Sequence, residues 1–555
     1  MTLVCVPIMV GDPAAALADA AAARDAGADI VEFRIDSYFD PRDEETDQSL
    51  RVEHIRNLIA DAPLPVILTC RSAEEGGDYD AADVSRVELL EAILHNAEHP
   101  PAYLDFELAA YQRSPEIRDR IDACLKSTSS QSETRTRLIL SMHDFDQRPS
   151  DLMRRLAGAW AEPAASVVKF AYRCRSIRDN LEIFEILRDA PKPTIGLGMG
   201  EFGLMSRVLA PKFNGFLTFA SLRDSAATAP GQPTISDLLG MYRIRSITKD
   251  TEVYGVIGWP VTQSMSPLIH NAGFEARGWD GVYLPMPVPD SDEAFKATLM
   301  TVLYDERLVF AGASVTIPHK QRLAKFEYAS THASLGVSST GAANTLQARL
   351  EWQGPADAKV WEVDGVSLRN TDAMAIKQLV EREFGTNKVR CAVFGAGGVA
   401  RGAIAALAGE GHAVEIHARS YVKAINMAAE VEEELATSEQ RGPIMPIGED
   451  DPAVHMCDLY INCTPVGMTG GPDPEGLSIP VHDLAGKLPP ETVFFDTVYN
   501  PIETPMLKAA REHGFRTIDG VEMFVRQAAA QFELWTGEQA PMQLFDRLVR
   551  ERLGS

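Results

Sequence analysis

The chain is 555 residues long, 45% hydrophobic, with a formal net charge of −26 and a pI near 4.9. That length is enough for about two to four ordinary domains and too much for one. The acidity repels phosphate backbones and anionic lipid, which argues against nucleic acid or a membrane as partner.

Seven cysteines (Cys5, Cys70, Cys124, Cys174, Cys391, Cys457, Cys463) include no C-x-x-C pair and several sit in apolar runs, as reduced cytosolic thiols do. The opening MTLVCVPIMVGDP has neither a basic lead nor a cleavage site, so a cytoplasmic protein is expected, without export or organelle import. The histidines fall into no ligand spacing, and no metal is expected.

Eight strand-length apolar runs lie between Leu3 and Ala220: LVCVPI, DIVEFRI, PVILTC, AYLDF, RLILSM, SVVKFA, TIGLG and GFLTFA. Stretches with helical patterning separate them, such as SRVELLEAILHNAEH. Strand then helix, eight times, predicts a (β/α)8 barrel. An open doubly wound sheet is the alternative, but no Gly-rich turn follows Ile8.

A barrel carries its site where strands end. Glu32, Arg34 and Asp36 close the second run, Arg71 the third; Glu107 follows the fourth, His143 and Asp144 the fifth; Lys169 interrupts the sixth. Arg207 lies beyond the seventh, and Thr228 to Gln232 follow the eighth. Lys169, flanked by apolar residues, is expected to be desolvated and hence a neutral amine able to attack a ketone. His143 is then the base for the neighbouring C–H, and Arg34, Arg71 and Arg207 suit a substrate carboxylate. Singly, a strand lysine is more often an edge residue; seven such groups at strand ends read as a site.

The motifs EFRID, CRSAEEGG, SMHDF, VVKFAYR, GEFGLMSRV and APGQPT resemble type I 3-dehydroquinate dehydratase over about residues 1–235. The resemblance implies dehydration through an imine on Lys169, with His143 as acid and base and Glu32 orienting it. It implies substrate contacts at Arg34, Arg71, Arg207, Thr228 and Gln232. Thr228 stands where the family usually has serine.

A linker is expected over 236–250 and a second enzyme beyond it. VRCAVFGAGGVARGAIAALAGEGHAVEIHARS is a strand, a glycine turn, a helix and a second strand, the dinucleotide-binding pattern. Gly395, Ala396, Gly397, Gly398 and Ala400 would cradle the pyrophosphate. The second strand ends in HARS with no acidic residue at its tip, and Arg419, Ser420 and Lys423 favour NADP(H) over NAD. Upstream, Lys320 and Asp372 could pair to deliver a proton to a reduced ketone.

From Val253 onward SMSPLIHN, VTIPHK, GAANT, NTDA, GAGGVAR, NCTPVGM and DTVYNPIETP resemble shikimate dehydrogenase. That implies Lys320 and Asp372 as catalytic, substrate contacts at Ser264, Ser266, Thr316, Asn344, Tyr499 and Gln527, and a cofactor contact at Thr464. Two positions depart from the pattern, Ser314 and Ala418, each where asparagine is usual. The expected layout is the barrel over 1–235, a substrate lobe over 251–372 completed by helices at about 520–555, and a Rossmann NADP-binding domain over 373–519.

The order resembles the plant-type fusion, in which the first product (3-dehydroshikimate) is the second substrate. A quinate/shikimate dehydrogenase second half and a non-catalytic metabolite sensor stay open as alternatives.

Overall fold

The computed structural model describes residues 1–39, 47–95, 97–129, 135–226, 228, 231–261, 263–327, 331–333, 337, 341–353, 360–436, 438–448 and 456–554. The chain divides into two compact units, Met1–Thr251 and Glu252–Ser555. Of the APGQPT motif, Ala229 and Pro230 lie outside the described residues.

In the first unit the eight expected runs are eight parallel strands: β1 (Leu3–Met9), β2 (Ile30–Arg34), β3 (Val66–Thr69), β4 (Tyr103–Glu107), β5 (Arg137–Asp144), β6 (Ala165–Arg173), β7 (Thr194–Met199) and β8 (Leu217–Phe219). Each pairs with the next from β1 to β7, and β8 returns to β1. The Phe216 N–H donates to the Thr194 carbonyl at 2.9 Å across the remaining gap, so the sheet is a nearly closed barrel.

Strand alternation explains how this barrel is filled, because residues two apart share a face. Ile30, Ile67, Tyr103, Ile139 and Val167 form an apolar layer with Ile195 and Leu217. Two residues on, the same strands carry Glu32, Thr69, Asp105, Ser141 and Lys169, all buried. Two further on come Arg34, Arg71, Glu107 and His143. The apolar floor thus supports two polar layers, and these open at the strand C-termini.

The segment 236–250 is not a tether. Leu238, Tyr242, Ile244 and Ile247 are buried, Arg245 donates to the Gly27 carbonyl at 2.6 Å, and Lys212 Nζ donates to the carbonyls of Lys249 and Thr251 at 2.6 and 2.9 Å. Its apolar residues fold it onto the barrel.

The second unit has two lobes. The first is a mixed sheet of β9 (Glu252–Gly258), β10 (Gly281–Pro287), β11 (Phe310–Val315), β12 (Thr331–Ala333), β13 (Thr345–Gln353) and β14 (Val360–Arg369), ordered β10-β9-β11-β13-β14-β12. The second is wholly parallel: β15 (Arg390–Phe394), β16 (Ala413–His417), β17 (Ile444–Ile447), β18 (Leu459–Asn462), β19 (Val493–Asp496) and β20 (Arg516–Ile518), ordered β17-β16-β15-β18-β19-β20. That is the doubly wound order whose switch point, between β15 and β18, accepts dinucleotides.

The helices Gly520–Thr536 and Met542–Leu553 bring Val521, Phe532 and Phe545 into one core with Tyr254, Phe274 and Tyr283 of the first lobe. Among the described residues no helix is long and apolar enough to cross a membrane.

Candidate active sites

Lys169 sits inside the barrel, and its surroundings are not the apolar ones its flanking sequence implies. Its Nζ donates to Asp105 Oδ2 at 3.1 Å, lies 3.5 Å from Glu32 Oε1 and stands 4.6 Å over the Phe219 ring. Two carboxylates therefore face the amine. Asp105 also accepts from Arg71 at 2.8 Å and from Ser141 Oγ at 2.6 Å. Burial pushes its carboxyl up, but Arg71 and Lys169 overrule this and hold it below the ordinary carboxylate range.

Glu32, expected to orient His143, faces Lys169 and accepts from Thr69 Oγ1 at 2.8 Å. The carboxylate on His143 is Glu75, whose Oε2 accepts the His143 backbone N–H at 2.9 Å and lies 2.9 Å from Nδ1. Glu75 ends the turn Ala73–Glu75. A Cβ on Gly77 would meet the Arg71 carbonyl at 2.2 Å, so only glycine lets the chain fold back and place Glu75 there.

Burial, reinforced by Arg71 and Lys169, holds the His143 imidazole well below its ordinary range, so it is neutral at neutral pH. Burial also lifts Glu75 to about 7, partly opposed by Arg71. Above that pH an ionised Glu75 takes a hydrogen bond from Nδ1–H and leaves the Nε2 lone pair free to act as base. Below it a protonated Glu75 can donate to Nδ1, which moves the ring proton to Nε2. Turnover that uses this base should therefore rise with pH through about 7. In Glu75→Gln, kcat should fall on the order of 10²-fold and lose that limb; a kcat profile from pH 5.5 to 9 checks both.

The three arginines are not equivalent. Arg34 forks onto Asp36 at 2.8 Å from both Nε and Nη2, and Arg71 spans Asp105, Glu107 and Ser141 at 2.8 to 3.0 Å. Arg207 is 2% exposed, has no acidic partner among the described residues, and its Nε has no hydrogen-bond partner. Burial lowers its guanidinium to about 10, which still leaves it charged. Gln232 is similarly poised: its Oε1 accepts from the Thr228 N–H and hydroxyl at 3.1 and 3.2 Å, and its Nε2 has no partner. Threonine at 228 keeps the hydroxyl that fixes this amide. Of the three forks, Arg207 is the one open to a carboxylate.

In the second unit Lys320 opens the helix Lys320–Ala324, and its Nζ donates to Asp372 Oδ2 at 2.5 Å. Asp372 lies in the first turn of the helix Thr371–Phe384, capped by Asn370. Asn344 Oδ1 accepts from the Thr371 N–H and hydroxyl at 2.8 and 3.1 Å, which ties β13 to that helix and leaves the Asn344 amide as a donor. Gln527 Oε1 lies 3.5 Å from the Thr371 hydroxyl, and Tyr499 stacks on Phe524 at 4.9 Å between ring centres. Thr316 follows β11 directly, with its N–H on the Ile257 carbonyl at 2.9 Å. Ser264 Oγ accepts the Ser266 N–H at 3.3 Å where the helix Ser266–Arg277 begins.

The glycine turn follows β15. Gly395 has φ 127°, and a Cβ there would meet the Cys463 carbonyl at 3.0 Å; a Cβ on Gly397 would meet nothing within 4 Å. Gly397 caps the helix Gly398–Gly409, in which Ala400 is buried. The turn is thus open above, with a helix N-terminus pointing into it, as a pyrophosphate requires. A Cβ on Gly398 would stand 4.0 Å from Lys320 Cδ, which sets the turn beside the Lys320–Asp372 pair.

Arg419 and Lys423 are exposed and have no acidic partner among the described residues; Ser420 caps the next helix by accepting the Lys423 N–H. Ala418 packs against the lobe's core. Thr464 donates both N–H and hydroxyl to Asn462 at 2.9 and 2.7 Å, and Asn462 donates to buried Asp496 at 2.9 Å. Thr464 is therefore anchored in its own turn, next to the glycines. These residues fit a 2′-phosphorylated dinucleotide. Among the described residues no group of His, Cys, Asp or Glu is placed to hold a metal ion.

Comparison with known proteins agrees with this division. The profile of type I 3-dehydroquinase matches residues 4–249, that of the shikimate dehydrogenase substrate binding domain 256–346, and that of the shikimate 5′-dehydrogenase C-terminal domain 520–550. The chain is 32% identical over 567 residues to the chloroplastic bifunctional 3-dehydroquinate dehydratase/shikimate dehydrogenase of Arabidopsis thaliana, covering 99% of this chain and 84% of the relative. The NADP(+) shikimate dehydrogenase of Methanocella arvoryzae is 34% identical over 54% of this chain and 99% of its own. The solved dehydroquinate dehydratase and shikimate dehydrogenase from S. pombe AroM is 25% identical with a TM-score of 0.41, covering 99% and 98% of the two chains. By its near full-length likeness to the Arabidopsis protein, the chain belongs to the family of bifunctional 3-dehydroquinate dehydratase/shikimate dehydrogenases.

Proposed function

We propose that Met1–Thr251 dehydrates 3-dehydroquinate to 3-dehydroshikimate and that Glu252–Ser555 reduces 3-dehydroshikimate to shikimate with NADPH. The observation that carries the first half is Lys169 buried beside Asp105 and Glu32, with a neutral histidine two strand positions beyond its neighbour Ser141. Lysine ammonium and ketone give an iminium and water with no net proton change, so the positive charge beside Asp105 persists. His143 takes the proton from the carbon next to the iminium and returns it to the departing hydroxyl, which leaves as water; hydrolysis then frees the enone and the lysine. Arg207 and Gln232 hold the carboxylate end. Replacing Arg207 by alanine should raise KM for 3-dehydroquinate about 10²-fold, read from initial rates, with a smaller change in kcat.

In the second half NADPH supplies a hydride when bound. The Lys320 ammonium, held by Asp372, gives a proton to the carbonyl oxygen as that oxygen takes up charge. Asn344 and Gln527 donate hydrogen bonds that fix the ring, and Ser264 and Ser266 meet its anionic end at a helix N-terminus. Arg419 and Lys423 give NADPH preference over NADH.

An acidic chain repels polyanions, and its cysteines form no disulfide among the described residues, which supports small-molecule substrates in a reducing, cytoplasmic setting. Borohydride added during turnover should leave a reduced adduct on the Lys169 peptide, seen by mass spectrometry. An adduct on another lysine, or none, contradicts the imine.

A further inference from the structure

Glu107 closes β4 and is 2% exposed. Its carboxylate is met by donors on both sides: Arg71 Nη1 and the Ser72 N–H donate to Oε1 at 3.0 and 3.1 Å, and Arg86 Nη1 donates to Oε2 at 2.5 Å. Arg86, 1% exposed on the helix Asp83–Leu94, is itself fixed. It donates to the Cys70 carbonyl at 3.2 Å and to Asp83 at 2.9 Å, and its guanidinium lies 4.6 Å from the centre of the Phe106 ring. Ser72 is the root of the turn Ala73–Glu75. Its carbonyl accepts the Glu75 N–H at 3.1 Å and the Gly77 N–H at 2.9 Å, and Glu75 in turn accepts from the His143 backbone and lies on its ring. An unbroken run of hydrogen bonds thus leads from Arg86 through Glu107, Ser72 and Glu75 to His143.

We propose that Glu107, clamped by Arg86, is a positioning residue for the dehydratase: it fixes the root of the Ala73–Glu75 turn and so sets Glu75 on the His143 ring. This rests on the reading above that His143 is the acid and base.

A carboxylate has two accepting oxygens and nothing to donate, so it can face donors on both sides at once. An amide has one accepting oxygen. A glutamine at 107 would turn its NH2 either toward Arg86 or toward Arg71 and the Ser72 N–H, donor against donor. Arg71 keeps its bonds to Asp105 and Ser141 in either case, so what loosens is the turn. The charged groups that face Glu75 are Arg71, Glu107 and Asp105, beside the His143 ring. Burial lifts the Glu75 carboxyl, Arg71 opposes the lift, and Glu107 adds to it. Loss of the Glu107 charge should therefore let Glu75 ionise at lower pH.

Glu107→Gln should lower dehydratase kcat about tenfold, leave KM for 3-dehydroquinate close to wild type, and move the acid limb of the kcat profile to lower pH. Added to Glu75→Gln it should cost nothing further, because both act through the one contact with His143. Arg86→Met added to Glu107→Gln removes the donor that the amide cannot serve, and should recover most of the lost kcat with the limb still displaced. Normal kcat and an undisplaced limb in Glu107→Gln overturn the proposal. So does a loss that adds in full to that of Glu75→Gln, which marks general damage to the barrel. If Glu107→Gln does not fold, the double variant carries the test, and an undisplaced limb there overturns the proposal. A wild-type chain that does not dehydrate 3-dehydroquinate overturns the dehydratase reading first, and this inference with it.

Discussion

Lys169→Ala should lose dehydratase turnover by on the order of 10⁴-fold or more and still reduce supplied 3-dehydroshikimate at the wild-type rate. The size follows from the chemistry. On the proposed route there is no iminium without an amine in the barrel, and the C–H assigned to His143 stays adjacent to an unactivated ketone. None of the neighbours can replace the lysine: Asp105 and Glu32 are carboxylates, and Arg71 is held by Asp105, Glu107 and Ser141. Lys169→Arg should be as inactive as the alanine variant, since it restores charge without a nucleophile. Enone absorbance from 3-dehydroquinate, followed in both variants beside NADPH oxidation with 3-dehydroshikimate, checks the separation. Residual dehydration within tenfold of wild type contradicts the assigned nucleophile.

Lys320→Ala should lower dehydrogenase kcat by on the order of 10³-fold with dehydration unchanged. On the proposed route the developing alkoxide is then left without its cation and proton donor. Asp372→Asn should cost less, because the ammonium remains but is no longer held in place. The double variant should resemble Lys320→Ala, since a pair 2.5 Å apart acts as one unit. Initial rates of NADPH oxidation for the three variants test this, and additive losses contradict it.

The barrel was legible because each of its eight runs alternates with a helix, and no other fold of similar size repeats that so often. The site was half legible. Glu32, Arg34, Arg71, His143 and Lys169 showed as polar residues in apolar strands. Asp105 and Ser141 did not, although each stands two residues before a polar residue already singled out, on the same inward face. Counting by twos would have found them, and with them the ion pair that desolvation arguments about Lys169 leave out.

Glu75 had no such signal, because it reaches His143 from a loop turned back by Gly76 and Gly77. The roles of the arginines were equally hidden: which guanidinium stays open depends on which carboxylates the barrel brings beside the others. The strand signal that opens at Glu252 placed the junction, and the buried Leu238, Tyr242 and Ile244 show why the stretch before it lies on the barrel. In the second unit the glycine turn and its parallel sheet follow the sequence pattern closely. Ser314 hydrogen-bonds the Tyr283 phenol, thirty-one residues away, and long-range contacts of that kind do not show in a local motif.

The most direct test of the central claim is a single reaction holding the full chain, 3-dehydroquinate and NADPH, with shikimate and oxidised cofactor both quantified. Two activities on one chain predict shikimate and NADP+ in equal amounts, with no shikimate from 3-dehydroquinate in Lys169→Ala unless 3-dehydroshikimate is supplied. Enone that accumulates without NADPH consumption, or NADPH oxidation that survives in Lys169→Ala with 3-dehydroquinate alone, contradicts it.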